Sequence, residues 1–214
     1  MYRLIDTGLE QLTTMVLKMG EVAVKALTTS ISCFASGQDK SDDVNELSGI
    51  LNSMTVETEE KAFALIAKYQ PVASDLRIIN SYIKIAYDFE RFGRYAWDIA
   101  SICQRFGGLV NCDKWLGEFF EKMAEKVLSM VRTSIESLRT QNTELAKTIA
   151  ETEEEVDKLY FEHLDKLVKE AHVTSKCTIS SVLGVRYLER IADHATYIAE
   201  AVVYIATGQK IMLR

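Results

Sequence analysis

Apolar residues return at three- and four-residue steps along almost the whole chain. Over residues 5–36, Leu9, Leu12, Val16, Met19, Ala23, Ala26 and Leu27 keep this rhythm, which on a helix returns side chains to one face. Over 41–69 the inner face is Leu47, Leu51, Met54, Thr58, Ala62, Leu65 and Ile66. A third segment covers 73–106 and a fourth 114–138. The fifth begins at Asn142 or Thr143 and runs to His172. The sixth opens at Thr174 or Ser175 and ends at Gly208, with Leu183, Ala195, Val202 and Val203 on its apolar face. No segment shows strand alternation, so the pattern predicts six long helices.

The punctuation agrees with these bounds. Gly37 suits a left-handed C-cap, and Asp39 or Ser41 can cap the next helix. Pro71 closes the second helix or opens the third. Gly107-Gly108 is the clearest break, followed by Asn111 and Asp113 as capping residues. Short connections favour antiparallel neighbours. The expected architecture is all-α: two tandem antiparallel three-helix bundles, residues 1–108 and 109–214. The third and sixth helices also match at an offset of 99, pairing Glu90 with Glu189, Arg91 with Arg190, Ala96 with Ala195, Ile99 with Ile198 and Ala100 with Ala199. Internal duplication explains that match.

Within this frame, Glu189 and Asp193 stand one helical turn apart, as do Glu153 and Asp157 on the helix before. Arg186, Glu189, Asp193 and Tyr197 point away from the apolar stripe, while Glu153 and Asp157 flank the stripe of Val156, Leu159, His163 and Leu167. A groove between the two helices would gather four carboxylates. They would not stay ionised together without a cation, since like charges raise one another's pKa, and a divalent or trivalent metal meets that need. Two other readings stay open: acidic pairs that only solvate a helix exterior, and an ion-pair network with Arg186 and Arg190. The Glu-x-x-His pattern of di-iron bundles is absent, against an oxidase.

Charge and cysteines narrow the classes further. The net charge is −6. It divides evenly, 11 Lys and Arg against 14 Asp and Glu up to residue 108 and 14 against 17 beyond it. With no basic arm, direct nucleic-acid or anionic-membrane binding is not expected. Cys33, Cys103, Cys112 and Cys177 form no CxxC pair and read as reduced, structural thiols of a cytoplasmic protein. No stretch is apolar enough for a membrane span. His194 reads as a packing or exposed residue or as a ligand beside Asp193, and His163 as a core residue. His172 suits a helix C-terminal dipole. Tyr160 reads as a packing residue, or as one reaching the acidic groove.

Longer segments carry a resemblance. Gln70-Pro71-Val72-Ala73-Ser74-Asp75-Leu76-Arg77-Ile78-Ile79, then Lys84-Ile85 and Asp88-Phe89-Glu90-Arg91, resembles the first-half signature of the PhoU family. The run Arg186-Tyr187-Leu188-Glu189-Arg190-Ile191-Ala192-Asp193-His194-Ala195-Thr196, with Ile198-Ala199-Glu200 beyond, resembles the second. Glu154-Glu155-Val156-Asp157-Lys158-Leu159-Tyr160 and the ending from Tyr204 to Gly208 extend the likeness over the whole chain.

The resemblance implies two tandem three-helix bundles whose acidic pairs can hold surface clusters of iron or zinc. Glu153, Asp157, Glu189 and Asp193 keep that pattern, so the second bundle is the expected metal site. In the first bundle Ser48 and Asn52 stand at the acidic positions of the second helix, and Arg94 replaces the aspartate four residues after Glu90. A guanidinium supplies the charge a metal would have brought, so no cluster is expected there. Arg94 is placed to pair with Glu90 or Asp98.

The function implied is that of a cytoplasmic accessory protein in phosphate transport and signalling. It would dock on a transporter ATP-binding subunit, a sensor kinase, or both, meet the membrane only through partners, and carry out no chemistry itself. A homodimer is compatible with this reading. The rivals are a metal-binding or metal-storage helical protein and, more weakly, a metal-dependent phosphohydrolase. The latter lacks an evident nucleophile or phosphate-cradling loop.

Overall fold

The computed structural model describes residues 3–170 and 174–213; His172 lies outside the described residues. The helices are α1 (Asp6–Ser36), α2 (Ser41–Tyr69), α3 (Ala73–Phe106), α4 (Lys114–Thr140), α5 (Thr143–Lys147), α6 (Ile149–Lys169) and α7 (Ser175–Thr207). No strand occurs among the described residues.

The expected fifth helix is thus broken. Thr148 sends its hydroxyl to the Leu145 carbonyl at 2.7 Å, and this local bond competes with the helical ladder. One short turn, α5, precedes the long α6, and the two replace the single element read from periodicity. Several other ends follow the expected chemistry. Gly37, Gly107 and Gly208 close α1, α3 and α7 in the left-handed conformation. Asp39 Oδ1 accepts from the Ser41 amide at 2.9 Å, Asn142 caps α5 and Thr174 caps α7.

α1, α2 and α3 pack as one three-helix set, and α4, α5–α6 and α7 as another. α1 also lies on α4 and α3 on α7, so the two sets share one continuous apolar core. α3 and α7 run antiparallel. Arg77 at the start of α3 lies against Gly208 beyond α7, and Lys176 at the start of α7 approaches Gly107 beyond α3. Each helix therefore ends beside a cation from the other, as its C-terminal carbonyls favour. Between the sets, the chain turns at Gly108 (φ +62), where a Cβ would stand 2.3 Å from the Phe34 carbonyl oxygen.

Two expectations need correction. Cys112 and Cys177 form a disulfide that ties the turn between the sets to the first turn of α7. Only Cys33 and Cys103 are free, and both are buried. Helix ends brought together by α3–α7 packing juxtapose thiols 65 residues apart, a proximity no local spacing announces. Leu183, read as part of an apolar face, is partly exposed, because the core of α7 there is carried by Gly184, Val185 and Leu188. No helix among the described residues is long and apolar enough to cross a membrane.

Candidate functional site

The middle of the α3–α7 junction carries a buried polar pair. His194 Nδ1 lies 2.8 Å from Asp88 Oδ1, and both side chains are almost wholly covered. Burial pushes the Asp88 carboxyl up, and the His194 hydrogen bond opposes this in part. The rings of Tyr87, Tyr95 and Tyr197 surround the imidazole. The duplication is visible here. At an offset of 99, Asp88 corresponds to Tyr187 and Tyr95 to His194, so the counterpart of the Asp88–His194 bond is the Tyr187–Tyr95 contact, with ring centroids 5.9 Å apart. A pseudo-twofold axis relates the halves, with one polar and one aromatic version of the same contact. His194 is therefore a packing residue with a specific partner. Asp88 was missed as a site residue, although the repeat offset itself made it the equivalent of Tyr187.

Of the four expected carboxylates, Asp157 on α6 acts across the junction on Glu189 of α7, whose other carboxylate neighbour is Asp193. Glu153 and Asp193 are each 4% exposed, so the face opposite the apolar stripe of α7 is not solvent-facing at Asp193. Asp157 and Glu189 are half-buried. Burial and then the neighbouring Asp193 push the Glu189 carboxyl up, Arg186 and Arg190 pull it down, and Asp157 adds to the rise. The net rise therefore owes most to burial, with carboxylates and guanidiniums acting against each other.

The neutralising charge comes from the two arginines. Arg186 Nη1 stands 2.7 Å from Glu189 Oε2, and Arg190 reaches the same oxygen at 3.8 Å and donates to Asp193 Oδ2 at 2.9 Å. The Arg186 guanidinium also lies over the Tyr160 ring at 5.7 Å, which links Tyr160 to the acidic face through a cation–π contact. The ion-pair network is accordingly present. Among the described residues, no three His, Cys, Asp or Glu side chains stand together as a preformed metal cage. Carboxylate oxygens are in their chemistry suited to a hard or borderline cation.

The first bundle differs as its residues imply. Arg94 Nε lies 3.5 Å from Glu90 Oε1, with the arginine exposed and the carboxylate largely covered, and Arg94 also acts on Asp98. Here α2 and α3 approach so closely that a Cβ on Gly93 would meet Leu51 Cδ1 at 2.6 Å and Ser48 Cα at 3.3 Å. Ser48 thus lies beside the Glu90–Arg94 turn, as the repeat predicts, and brings no carboxylate.

His163 is fully buried and shares a 2.6 Å hydrogen bond between Nε2 and the Ser181 hydroxyl. This is the core role expected of it.

Comparison with known proteins accounts for the repeat. The family described as the PhoU domain matches residues 16–103 and again 120–202. The chain is 30% identical to the phosphate-specific transport system accessory protein PhoU homolog of Clostridium acetobutylicum, over 99% of this chain and 98% of that protein. It is 32% identical to the protein of the same description in Rhizobium meliloti, over 95% and 87%. Among solved structures, PhoU from Pseudomonas aeruginosa superposes with a TM-score of 0.89 at 26% identity, covering 96% of this chain and all of that one. The phosphate transport system regulatory protein PhoU from Streptococcus pneumoniae shares the fold, with a TM-score of 0.88 at 22% identity over 97% and 99%.

Proposed function

Because this chain belongs to the PhoU family, we propose that it is an accessory protein of a phosphate-specific transport system, working by docking and without a chemical step of its own. The observation carrying this reading is the end-to-end relation to accessory proteins so described. Its partners are the transporter's ATP-binding subunit, a sensor kinase, or both, met on the cytoplasmic side of the membrane. Long rigid helices offer broad faces for such contacts. Arg94, Arg186 and Arg190 supply a cationic rim beside the acidic turns, where complementary charge speeds encounter and fixes register. Replacing all three by glutamate should weaken capture of the ATP-binding subunit at least tenfold in a pull-down, with helicity unchanged. Undiminished capture by the folded variant would remove these arginines from the docking surface.

A second reading adds a metal to the same protein. Its support is a partly buried Glu189 whose carboxyl is pushed up by burial first and then by Asp193 and Asp157, with Arg186 and Arg190 opposing. Glu153, Asp157, Glu189 and Asp193 would hold iron or zinc once Arg186 and Arg190 turn outward, and the ion would supply positive charge for a docking surface. Elemental analysis of the purified chain should find stoichiometric metal, lost in the Glu189→Gln/Asp193→Asn variant. Equal metal in the two proteins would place it elsewhere. No metal in either would leave the arginines as the only counter-charge.

A further inference from the structure

Beside the Asp88–His194 pair, a cleft of about 280 Å³ opens between α3, α7 and the segment after Gly208. Ser81, Lys84 and Asp88 line it from successive turns of α3, Tyr197 and Tyr204 from α7, and Lys210 from the following segment. That segment is held down where the Leu213 amide donates to Glu200 Oε1 at 2.9 Å.

Two residues on the inner wall are largely covered by the protein yet line the cleft. Ser81 is 1% exposed. The buried Ser30, Ser134 and Ser137 spend their hydroxyls on carbonyls of their own helices, whereas the Ser81 hydroxyl has no hydrogen-bond partner among the described residues. Asp88 is 6% exposed and bonds His194 through Oδ1, while its Oδ2 has no hydrogen-bond partner there either. At the mouth, Lys84 and Lys210 are exposed and neither joins an ion pair among the described residues.

The Ser81 hydroxyl and the Asp88 carboxylate line the cleft, so a ligand seated there can bond to both. It should carry negative charge for the two ammonium groups, an acceptor oxygen for Ser81 and a hydroxyl for Asp88. We propose that the cleft binds inorganic phosphate in its protonated form: Lys84 and Lys210 meet the charge, the Ser81 hydroxyl donates to one oxygen, and Asp88 Oδ2 accepts from a P–OH. An ionised carboxylate admits hydrogen phosphate and repels sulfate, which has no proton to offer at neutral pH. With Asp88 and Glu200 balancing the two lysines, the binding is modest, and the site senses abundant phosphate rather than scavenging a trace. The assignment rests on the phosphate-transport reading and adds direct contact with the ion.

Calorimetric titration of the full chain with inorganic phosphate and with sulfate, at constant ionic strength and with a chelator present, tests it. Phosphate should bind with a Kd on the order of 1 mM and sulfate at least tenfold more weakly. Lys84→Gln and Lys210→Gln, at exposed positions, should each weaken phosphate several-fold. Asp88→Asn should bring the two anions together. The Glu189→Gln/Asp193→Asn variant should bind phosphate as the parent does, since the site owes nothing to a metal on α6 and α7.

Absence of phosphate binding at tens of millimolar, equal affinity for sulfate in the parent, or indifference to both lysine changes would each overturn the proposal. So would loss of binding in the Glu189/Asp193 variant. Should Asp88→Asn fail to fold, the phosphate-to-sulfate ratio of the parent and the lysine variants still decide. Failure of phosphate binding with capture of the ATP-binding subunit intact would remove this site alone. Failure of capture with phosphate binding intact would remove the docking role.

Discussion

Truncating Phe34 to alanine is expected to cost about 3–5 kcal/mol of folding stability. Phe34 belongs to α1 but is fully buried between elements of both halves. Its ring lies 4.5 Å from that of Phe120 on α4. On α7, a Cβ built on Gly184 would stand 2.8 Å from Phe34 Cζ and 3.2 Å from Phe120 Cε2. One side chain thus joins three helices, and the cavity it leaves has stiff walls with little room to collapse. The complementary change is Gly184→Ala, which forces a methyl against two locked rings and should cost about 1–3 kcal/mol. Combining it with Phe34→Leu should recover part of that loss, giving a coupling of about 0.5–3 kcal/mol. Urea unfolding read by circular dichroism measures these variants and Phe34→Leu alone, with a lower midpoint at unchanged slope for the single variants. A Phe34→Ala cost below about 1 kcal/mol would mean that the halves do not depend on this contact.

The fold was legible because its information is local and repeated. Leu12, Val16, Met19, Ala23, Ala26 and Leu27 were read as one face from their spacing, and all are fully buried. Glycines at 37, 107 and 208 marked helix ends because only a left-handed residue closes them there. The break at Thr148 was invisible for the opposite reason. A threonine hydroxyl turning to the carbonyl three residues back is one rotamer choice, and the apolar rhythm continues through it. Cys112–Cys177 and Phe34–Gly184 depend on how α1, α4 and α7 come together, which no window of sequence contains.

The candidate site was readable to the level of its face and no further. Spacing placed Glu153 with Asp157 and Glu189 with Asp193, and across the two helices Asp157 acts on Glu189. Periodicity on α7 alone placed Asp193 away from the core, since it does not register a second helix covering that side. Spacing also left open whether a metal or Arg186 and Arg190 answers the negative charge; the side-chain geometry pairs Arg186 with Glu189 and Arg190 with Asp193. The Asp88–His194 pair shows what a repeat can add. Its two members lie 106 residues apart, yet the offset that aligns Glu90 with Glu189 also pairs Asp88 with Tyr187 and Tyr95 with His194. Polar and aromatic residues exchanged across a duplication mark positions where the halves meet.

Acid should weaken the second bundle through His163. Burial among apolar groups, with a smaller contribution from Lys166, holds its pKa down from 6.5 to about 4. The folded state therefore prefers the neutral ring more strongly than the unfolded chain does. Its stabilising contribution is complete above the unfolded pKa, where both states are neutral. It declines as pH falls from about 6.5, because the unfolded chain takes up the proton first, and is gone near pH 4. Through linkage, this amounts to about 2–3 kcal/mol lost across that window. Asp88, Asp98 and Glu189 act in the opposite sense, since their carboxyls are pushed up in the folded state and hold protons more readily there than when unfolded. The raw stability curve mixes both kinds of group, so the informative quantity is the difference from His163→Gln, which keeps an acceptor for the Ser181 hydroxyl and does not titrate. That difference should be flat above pH 7 and narrow by about 2–3 kcal/mol between pH 6.5 and 4. A difference independent of pH would mean that His163 is as free to take up a proton in the fold as outside it, contrary to its burial against Trp115 and Phe119.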